Sequence, residues 1–322
     1  MDLVQRFLRH IPNKQLRSLE RVIRKTLWQR ELSDPGSGTF LKYWSNVYPQ
    51  RWHEFGPPMR PSPFDIDAYR KLASSAGRIE RALVLGATPE LRDLLAEMRI
   101  PTIIVADYSA EMIAGMSSYL KRANAEREIW IKCDWATLPL PSGTIDLIIG
   151  DLPFDQIPRN RLGKLGRYLR RLLASNGNVV ARVHFPNEKF ATLSPQEIIT
   201  ETLQHIGEVN DGILRGILSY RLLDHSRRPH DSVTDRAQVI SWLTASLATV
   251  TGDAARILSD SIAYHLRSKI NLSIAAESYF RDVMAEFFEI HACIANGDHF
   301  DGEYFPILRF APRQEITDAV RG

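Results

Sequence analysis

Five short apolar runs punctuate the middle of the chain: Ala82–Leu85, Thr102–Ala106, Glu128–Lys132, Ile145–Ile149 and Val179–His184. Between them the apolar positions change to helical spacing. Glu90–Met98 places Leu91, Leu94, Leu95 and Met98 on one face, and Ala110–Ala125 and Arg161–Leu173 follow the same rule. Strands that alternate with helices predict a parallel sheet with right-handed crossovers, which leaves the carboxyl ends of the strands open to a ligand. From residue 191 to 272 the pattern is helical with no strand signal, and an Arg- and His-containing loop spans Asp224–Asp231. A helix over Ser273–Phe288 then leads into Glu289–Ala295, the turn Asn296-Gly297-Asp298 and a last run, Tyr304–Phe310. These two runs read as an antiparallel hairpin at a sheet edge, so about seven strands are expected, with a helical insertion between the fifth and sixth.

Before the first strand the pattern differs. Met1–Arg30 sets Leu16, Leu19, Val22, Ile23 and Leu27 beside Arg17, Arg21, Arg24 and Lys25, as in a helix that packs one stripe and solvates the other. An aromatic and proline-rich passage follows from Phe40 to Pro63, with Trp44, Tyr48, Trp52 and Phe55 beside Arg51 and Arg60. Such a passage is either packing or a lid over a flat or anionic ligand. The expected units are an N-terminal helical and aromatic lid (1–76), a core (77–190), a helical insertion that caps a substrate (191–272) and a closing helix with the strand hairpin (273–322).

Composition narrows the class. A chain of 322 residues, 44% hydrophobic and 25% charged, can bury a core and is neither fibrous nor disordered. Lys and Arg exceed Asp and Glu only by 41 to 38, so a phosphate-coating surface is not implied and a nucleic-acid partner is not expected. The two cysteines, Cys133 and Cys293, stand apart, and no His or carboxylate falls at ligand spacing. That excludes a disulfide framework and predicts no metal. No run approaches the roughly eighteen apolar residues of a membrane span, and the N-terminus lacks the apolar stretch of a secretory signal, so a soluble cytoplasmic protein is expected.

The chemistry collects at strand ends. Leu83-Val84-Leu85-Gly86 closes the first strand with a glycine, and Ala87-Thr88-Pro89-Glu90 opens a helix with Pro89 in its first turn and Thr88 at the cap position. Glycine lets a ligand approach the backbone, and the free helix amides suit an anionic group. About twenty residues on, Asp107 ends the second strand, where a carboxylate accepts from both hydroxyls of a ribose. The third strand ends in Asp134-Trp135, a carboxylate and an aromatic ring where an adenine would lie, and the fourth in Asp151-Leu152. Acids at three successive strand ends point to a nucleoside pocket.

This series, Leu85 to Leu91, Val105 to Ile113, Cys133 to Leu140 and Ile145 to Asp151, resembles the class I S-adenosylmethionine-dependent methyltransferases in order and spacing. The resemblance implies a Rossmann-like seven-stranded methyltransferase sheet with an antiparallel last strand, S-adenosylmethionine as cofactor, and 77–190 as its binding core. Gly86, Ala87 and Thr88 would approach its methionine part, Asp107 the ribose, and Tyr108 and Met112 the faces of the adenine. Asp134 would take the adenine amino group, Trp135 would line the ring, and Asp151 with Leu152 would stand near the sulfonium. The loop departs from the family's three glycines, keeping Gly86 alone, and Glu90 either reaches the cofactor ammonium or caps its helix. A nicotinamide dehydrogenase would require more glycine beneath a pyrophosphate.

Three readings of the acceptor remain. The leading one is methyl transfer to a small-molecule acceptor held by Trp44, Tyr48, Arg51, Trp52, Phe55 and Arg60, with Asp151, His184 and His225 as candidate catalytic groups. Arg51, Arg60, Arg227 and Arg228 hint at an acidic acceptor. A second reading uses Asp151-Leu152-Pro153-Phe154, which partly resembles the Asp-Pro-Pro-aromatic motif of nucleobase N-methyltransferases, with Phe154 stacking on the base and the basic stretch Arg159, Arg161, Lys164, Arg167, Arg170 and Arg171 against RNA. The third is a noncatalytic protein that binds the cofactor or a partner.

Overall fold

The apolar runs form one sheet. In the computed structural model, which describes residues 49–75, 77–267, 271–295 and 297–313, its strands are β1 (Arg81–Leu85), β2 (Thr102–Asp107), β3 (Ile129–Lys132), β4 (Ile145–Asp151), β5 (Leu173–Arg182), β6 (Phe288–Ile294) and β7 (Ile307–Pro312). The spatial order is β3-β2-β1-β4-β5-β7-β6, with the first five parallel and β7 antiparallel to both β5 and β6. Register pairs Leu83 with Ile104 and Ile148, and Val84 with Val105 and Ile149. Leu83, Leu85, Ile104 and Ile148 are buried on one face, and Ala82, Val84, Val105 and Ile149 on the other. Both faces are covered, which is why these strands read as continuous apolar runs instead of alternating ones.

Helices α1 (Pro63–Ser74), α2 (Pro89–Glu97) and α3 (Ala110–Met116) cover one face through Tyr69, Leu72, Leu91, Leu94 and Ile113. Helix α1 starts cleanly because Ser62 and Asp65 form a reciprocal capping box and Pro63 opens the first turn. Helix α4 (Leu162–Leu172) buries Leu165 and Leu169 on the opposite face. Between β5 and β6 run α5 (Glu188–Thr192), α6 (Pro195–Leu203), α7 (Asp211–Ser226), α8 (Arg236–Leu247) and α9 (Gly252–Arg267), which share a separate apolar cluster around Leu214, Leu218, Val239, Leu243 and Ile257. Helix α10 (Glu277–Ala285) returns to the sheet with Phe280 and Met284.

Four elements differ from the sequence pattern. Helix α3 stops at Met116 instead of continuing to Ala125, because the Asp93 carboxylate draws off the amides of Lys121, Arg122 and Ala123 and buried Arg92 bonds to Ser117. Strand β5 begins at Leu173, several residues early, and its irregular first half is absorbed by a register shift opposite Ile145 and Leu147. Ser273–Ala276 is extended and not helical: Ser273 donates its amide to the Asp155 carbonyl at 2.7 Å and Ile274 to Ser232 at 2.8 Å. The link between β6 and β7 is longer than a tight turn, with a short 3-10 helix at Gly302–Tyr304 and Asp301 clasped by Arg221 at 2.6 and 3.1 Å. The basic segment Met1–Arg30, with Phe40, Trp44 and Tyr48 of the aromatic passage, lies outside the described residues.

Candidate functional site

A pocket opens at the carboxyl ends of β1, β2 and β4, where the sheet order turns back from β1 to β4. Gly86 leaves β1 with φ +93°, a conformation that L side chains rarely adopt, and its amide donates to the Ala106 carbonyl at 2.8 Å. Gly86, Ala87 and Thr88 line one wall. Thr88 holds the N-cap position of α2 but its side chain makes no capping bond, so amides at this helix end remain for a ligand. Asp107, Tyr108 and Met112 line the next wall. The Asp107 carboxylate accepts from the Ser109 amide at 2.8 Å, and burial lifts its pKa to about 7 against the help of the Ser109 and Tyr108 amides. Trp135 closes the side, its ring fixed by donation from Nε1 to the Ala106 carbonyl at 2.8 Å.

Asp151 and Leu152 form the floor. Arg182, fully buried, grips Asp151 through Nε at 2.7 Å and Nη2 at 3.1 Å, reaches Asp65 of α1 at 2.8 Å, and donates to the Pro58 carbonyl at 2.8 Å. Burial raises Asp151 to about 6, with Arg182 opposing the shift. Leu152 sits at φ +49°, in the left-handed region. A proline, locked near −65°, could not stand there, so the partial match to an Asp-Pro-Pro-aromatic motif fails on backbone geometry. Phe154 completes the failure: it is buried in the core against Phe280 and Phe310 and does not line the pocket.

Other expected site residues are engaged elsewhere. Asp134 does not line the pocket; despite partial burial, the Ala136 amide at 2.9 Å and Arg161 at 2.5 Å hold its carboxyl below the usual range. Glu90 caps nothing: one oxygen accepts from Trp52 Nε1 at 3.0 Å and Arg60 Nε at 2.6 Å, and the other is buried with no hydrogen-bond partner. Trp52 alone of the described expected lid residues lines the pocket. Phe55 packs on Tyr264 beside it, and Arg51 pairs with Glu54. Arg227 and Arg228 pair with Glu188 and Asp231, so the arginines thought to mark an acidic acceptor answer to the protein's own carboxylates. His225 is turned away, with Nδ1 2.8 Å from the Phe190 carbonyl and its ring against Trp242. Trp44 and Tyr48 lie outside the described residues.

His184 is fully buried and lies behind the pocket wall. Its Nε2 is 3.2 Å from Asp224 of α7 and its Nδ1 is 3.7 Å from Asp155, which does line the pocket. Burial acts to lower its pKa, but the two flanking carboxylates raise it to about 9. The sequence pattern missed Asp155, Tyr220, Arg236, Tyr264 and Leu272, the inner half of the pocket. Arg236 follows a cap residue at the start of α8, a position that reads as solvent; instead it is buried, with Nη1 donating to His265 Nδ1 at 2.8 Å. Among the described residues no group of three or more His, Cys, Asp or Glu is placed to hold a metal ion, and no helix is long and apolar enough to cross a membrane.

Comparison with solved structures agrees with this architecture. The CcbJ methyltransferase of Streptomyces caelestis superposes with a TM-score of 0.51 at 10% identity, covering 85% of this chain and 99% of its own. The two share a fold. A Rhodobacter sphaeroides protein provisionally described as a Zn-dependent alcohol dehydrogenase aligns with a TM-score of 0.56 at 16% identity, covering 86% of this chain and all of its own. At these identities the likeness is one of fold. No protein-family model and no curated protein sequence matches the chain.

Proposed function

We propose that the chain is an S-adenosylmethionine-dependent methyltransferase with a small-molecule acceptor. One observation carries this: Asp107 stands at the pocket edge two strands' width from Asp151, with the Gly86 turn, Tyr108, Met112 and Trp135 around the same space. A carboxylate with no cationic partner among the described residues suits a ribose diol, and flat side chains suit an adenine. Glu90 does not line the pocket and is paired with Arg60, so it has no cofactor role. When bound, the cofactor supplies a methyl group on a sulfonium. Asp151, fixed by Arg182, and the strained Leu152 backbone hold that end, and Trp52 and Met59 limit water above it. Asp134 has no role here.

The inner wall supports a small acceptor. Tyr220, Arg236 and Tyr264, from helices α7, α8 and α9, line the same pocket as Asp151, a recessed and partly aromatic surface that suits a small organic acceptor. Part of the basic stretch at α4 is also engaged: Arg161 at the helix cap holds Asp134, Arg171 the Leu140 carbonyl, and Arg159 just before it covers Tyr279.

Calorimetric titration with S-adenosylmethionine and S-adenosylhomocysteine, on the native protein and on Asp107→Ala, tests the cofactor. Binding by the native protein that is lost in the variant is expected; no binding of either compound defeats the reading. Labelled methyl groups should then appear in the small-molecule fraction of an extract and not in added RNA. Tight binding without transfer to either would mark a noncatalytic protein.

A further inference from the structure

We propose that the methyl acceptor is a small amine, which enters as its ammonium form and gives up a proton to Asp155. This rests on the methyltransferase reading and adds the acceptor's chemical class. Asp155 is 3% exposed and lines the inner pocket, and its Oδ2 faces His184 Nδ1 at 3.7 Å, too long for a hydrogen bond. An ionised carboxylate has acceptor sites on both oxygens, so one that lines a pocket and is not locked by a short hydrogen bond keeps capacity to accept from a cationic ligand. Behind it His184 stands 3.7 Å away, with Asp224 3.2 Å beyond. The imidazole is clamped by the parallel ring of Phe305, 4.5 Å between centroids, and by the edge of Tyr220 at 4.8 Å.

Charge selects the ligand. Three carboxylates, Asp107, Asp151 and Asp155, line the pocket against one cation, Arg236, among the described residues. Arg182 does not cancel this, because it also neutralises Asp65. A protonated His184 lies between two acids, so that group keeps one negative charge as well. Tyr220, Tyr264 and Trp52 add aromatic surface, which favours an organic cation over an anion.

The proton step balances at Asp155. An N–H bond of the ammonium breaks, its electron pair stays on nitrogen, and the proton bonds to a carboxylate oxygen. The nitrogen then holds the lone pair that methylation requires. Burial keeps Asp155 above the ordinary carboxylate range, which makes it a better base than an exposed acid, although His184 pulls the other way. His184 and Asp224 are positioning residues: they hold the carboxylate without touching the acceptor. The charged or titratable groups that bear on this set are Asp155, Asp224, Tyr220 and Arg182, with His299 packed behind Phe305.

The test uses the full chain saturated with S-adenosylhomocysteine, titrated near neutral pH with benzylamine and 2-phenylethylamine and with the matching alcohols. The expected result is amine binding tighter than alcohol binding by roughly tenfold or more, the difference a charge-assisted hydrogen bond makes. Asp155→Asn should remove that preference. Asp224→Asn should weaken it and move the nitrogen-15 titration of the His184 imidazole to lower pH, a shift that a merely structural role would not tie to amine preference. Equal binding of amines and alcohols, no measurable amine binding by the native protein, or an amine preference that survives in Asp155→Asn would overturn the proposal. The native comparison needs no variant to fold. Failure to bind S-adenosylhomocysteine in the first titration would instead defeat the underlying methyltransferase reading.

Discussion

Two buried cations stand a few residues apart at the end of β5, each between two carboxylates, and they are built differently. Arg182 is saturated: its guanidinium bonds to Asp151, Asp65 and the Pro58 carbonyl at 2.7–3.1 Å. His184 is not. Its two nitrogens face Asp155 and Asp224 at 3.7 and 3.2 Å without an aligned hydrogen bond, and both acids keep an unbonded oxygen. A saturated group joins α1 to the sheet and fixes the pocket floor. An unsaturated one is a place where a proton can move, since neither of its charge states is locked by geometry.

The contrast breaks most easily at Arg182. Arg182→Met leaves Asp65 and Asp151 buried without a cation, and loss of one partner of a buried pair costs about 3–5 kcal/mol. Urea unfolding should show a loss of that order, while a loss close to zero would mean that water reaches this group and that it does not organise the floor. Asp107→Asn is the next largest effect. It removes a charged acceptor of two ribose hydroxyls, so affinity for S-adenosylhomocysteine should fall by about 2–4 kcal/mol with the unfolding midpoint little changed. Calorimetry beside thermal unfolding separates the two, and a parallel loss of both would make Asp107 a structural residue.

The outer half of the pocket was legible for a physical reason. Gly86, Asp107 and Asp151 are each placed by the end of a strand, and a strand's end is marked locally by the change from apolar run to polar residue. Asp134 ends its strand equally well, but whether it faces the pocket depends on Arg161, distant in sequence and invisible to local pattern. The inner half depends on such distant partners throughout. Tyr220, Arg236 and Tyr264 sit on three insertion helices whose packing, not their periodicity, decides which residue meets the sheet. Asp155 lies one residue beyond Phe154, the aromatic that drew notice as a stacking ring; the backbone turn at Leu152 sends the ring into the core while the next side chain lines the pocket. The early end of α3 has the same origin, in the reach of the Asp93 carboxylate across to three consecutive amides.

Titration sharpens the comparison further. With the Asp107 pKa near 7, a ligand that requires the ionised acid should lose affinity as pH falls, by about 25-fold between pH 7.5 and 5.5, and Asp107→Asn should flatten that dependence. A profile that is flat in the native protein would remove the ribose contact from Asp107.

The smallest effect belongs to His184 and has the opposite sign. Its folded pKa, about 9, lies above its ordinary value, so its ion pairs contribute stability that is complete below about pH 6.5 and is lost as pH rises through 9. The loss is moderated because Asp155, itself raised by burial, can hold a proton that His184 gives up. Urea midpoints should therefore decline from pH 6.5 to 9.5 more steeply in the native protein than in His184→Gln, whose remaining decline falls below about pH 8 and belongs to Asp107, itself raised to about 7. Arg182 remains charged throughout this interval and contributes no such slope. If the native and His184→Gln slopes coincide, His184 is held neutral, and the difference drawn between the two buried cations disappears.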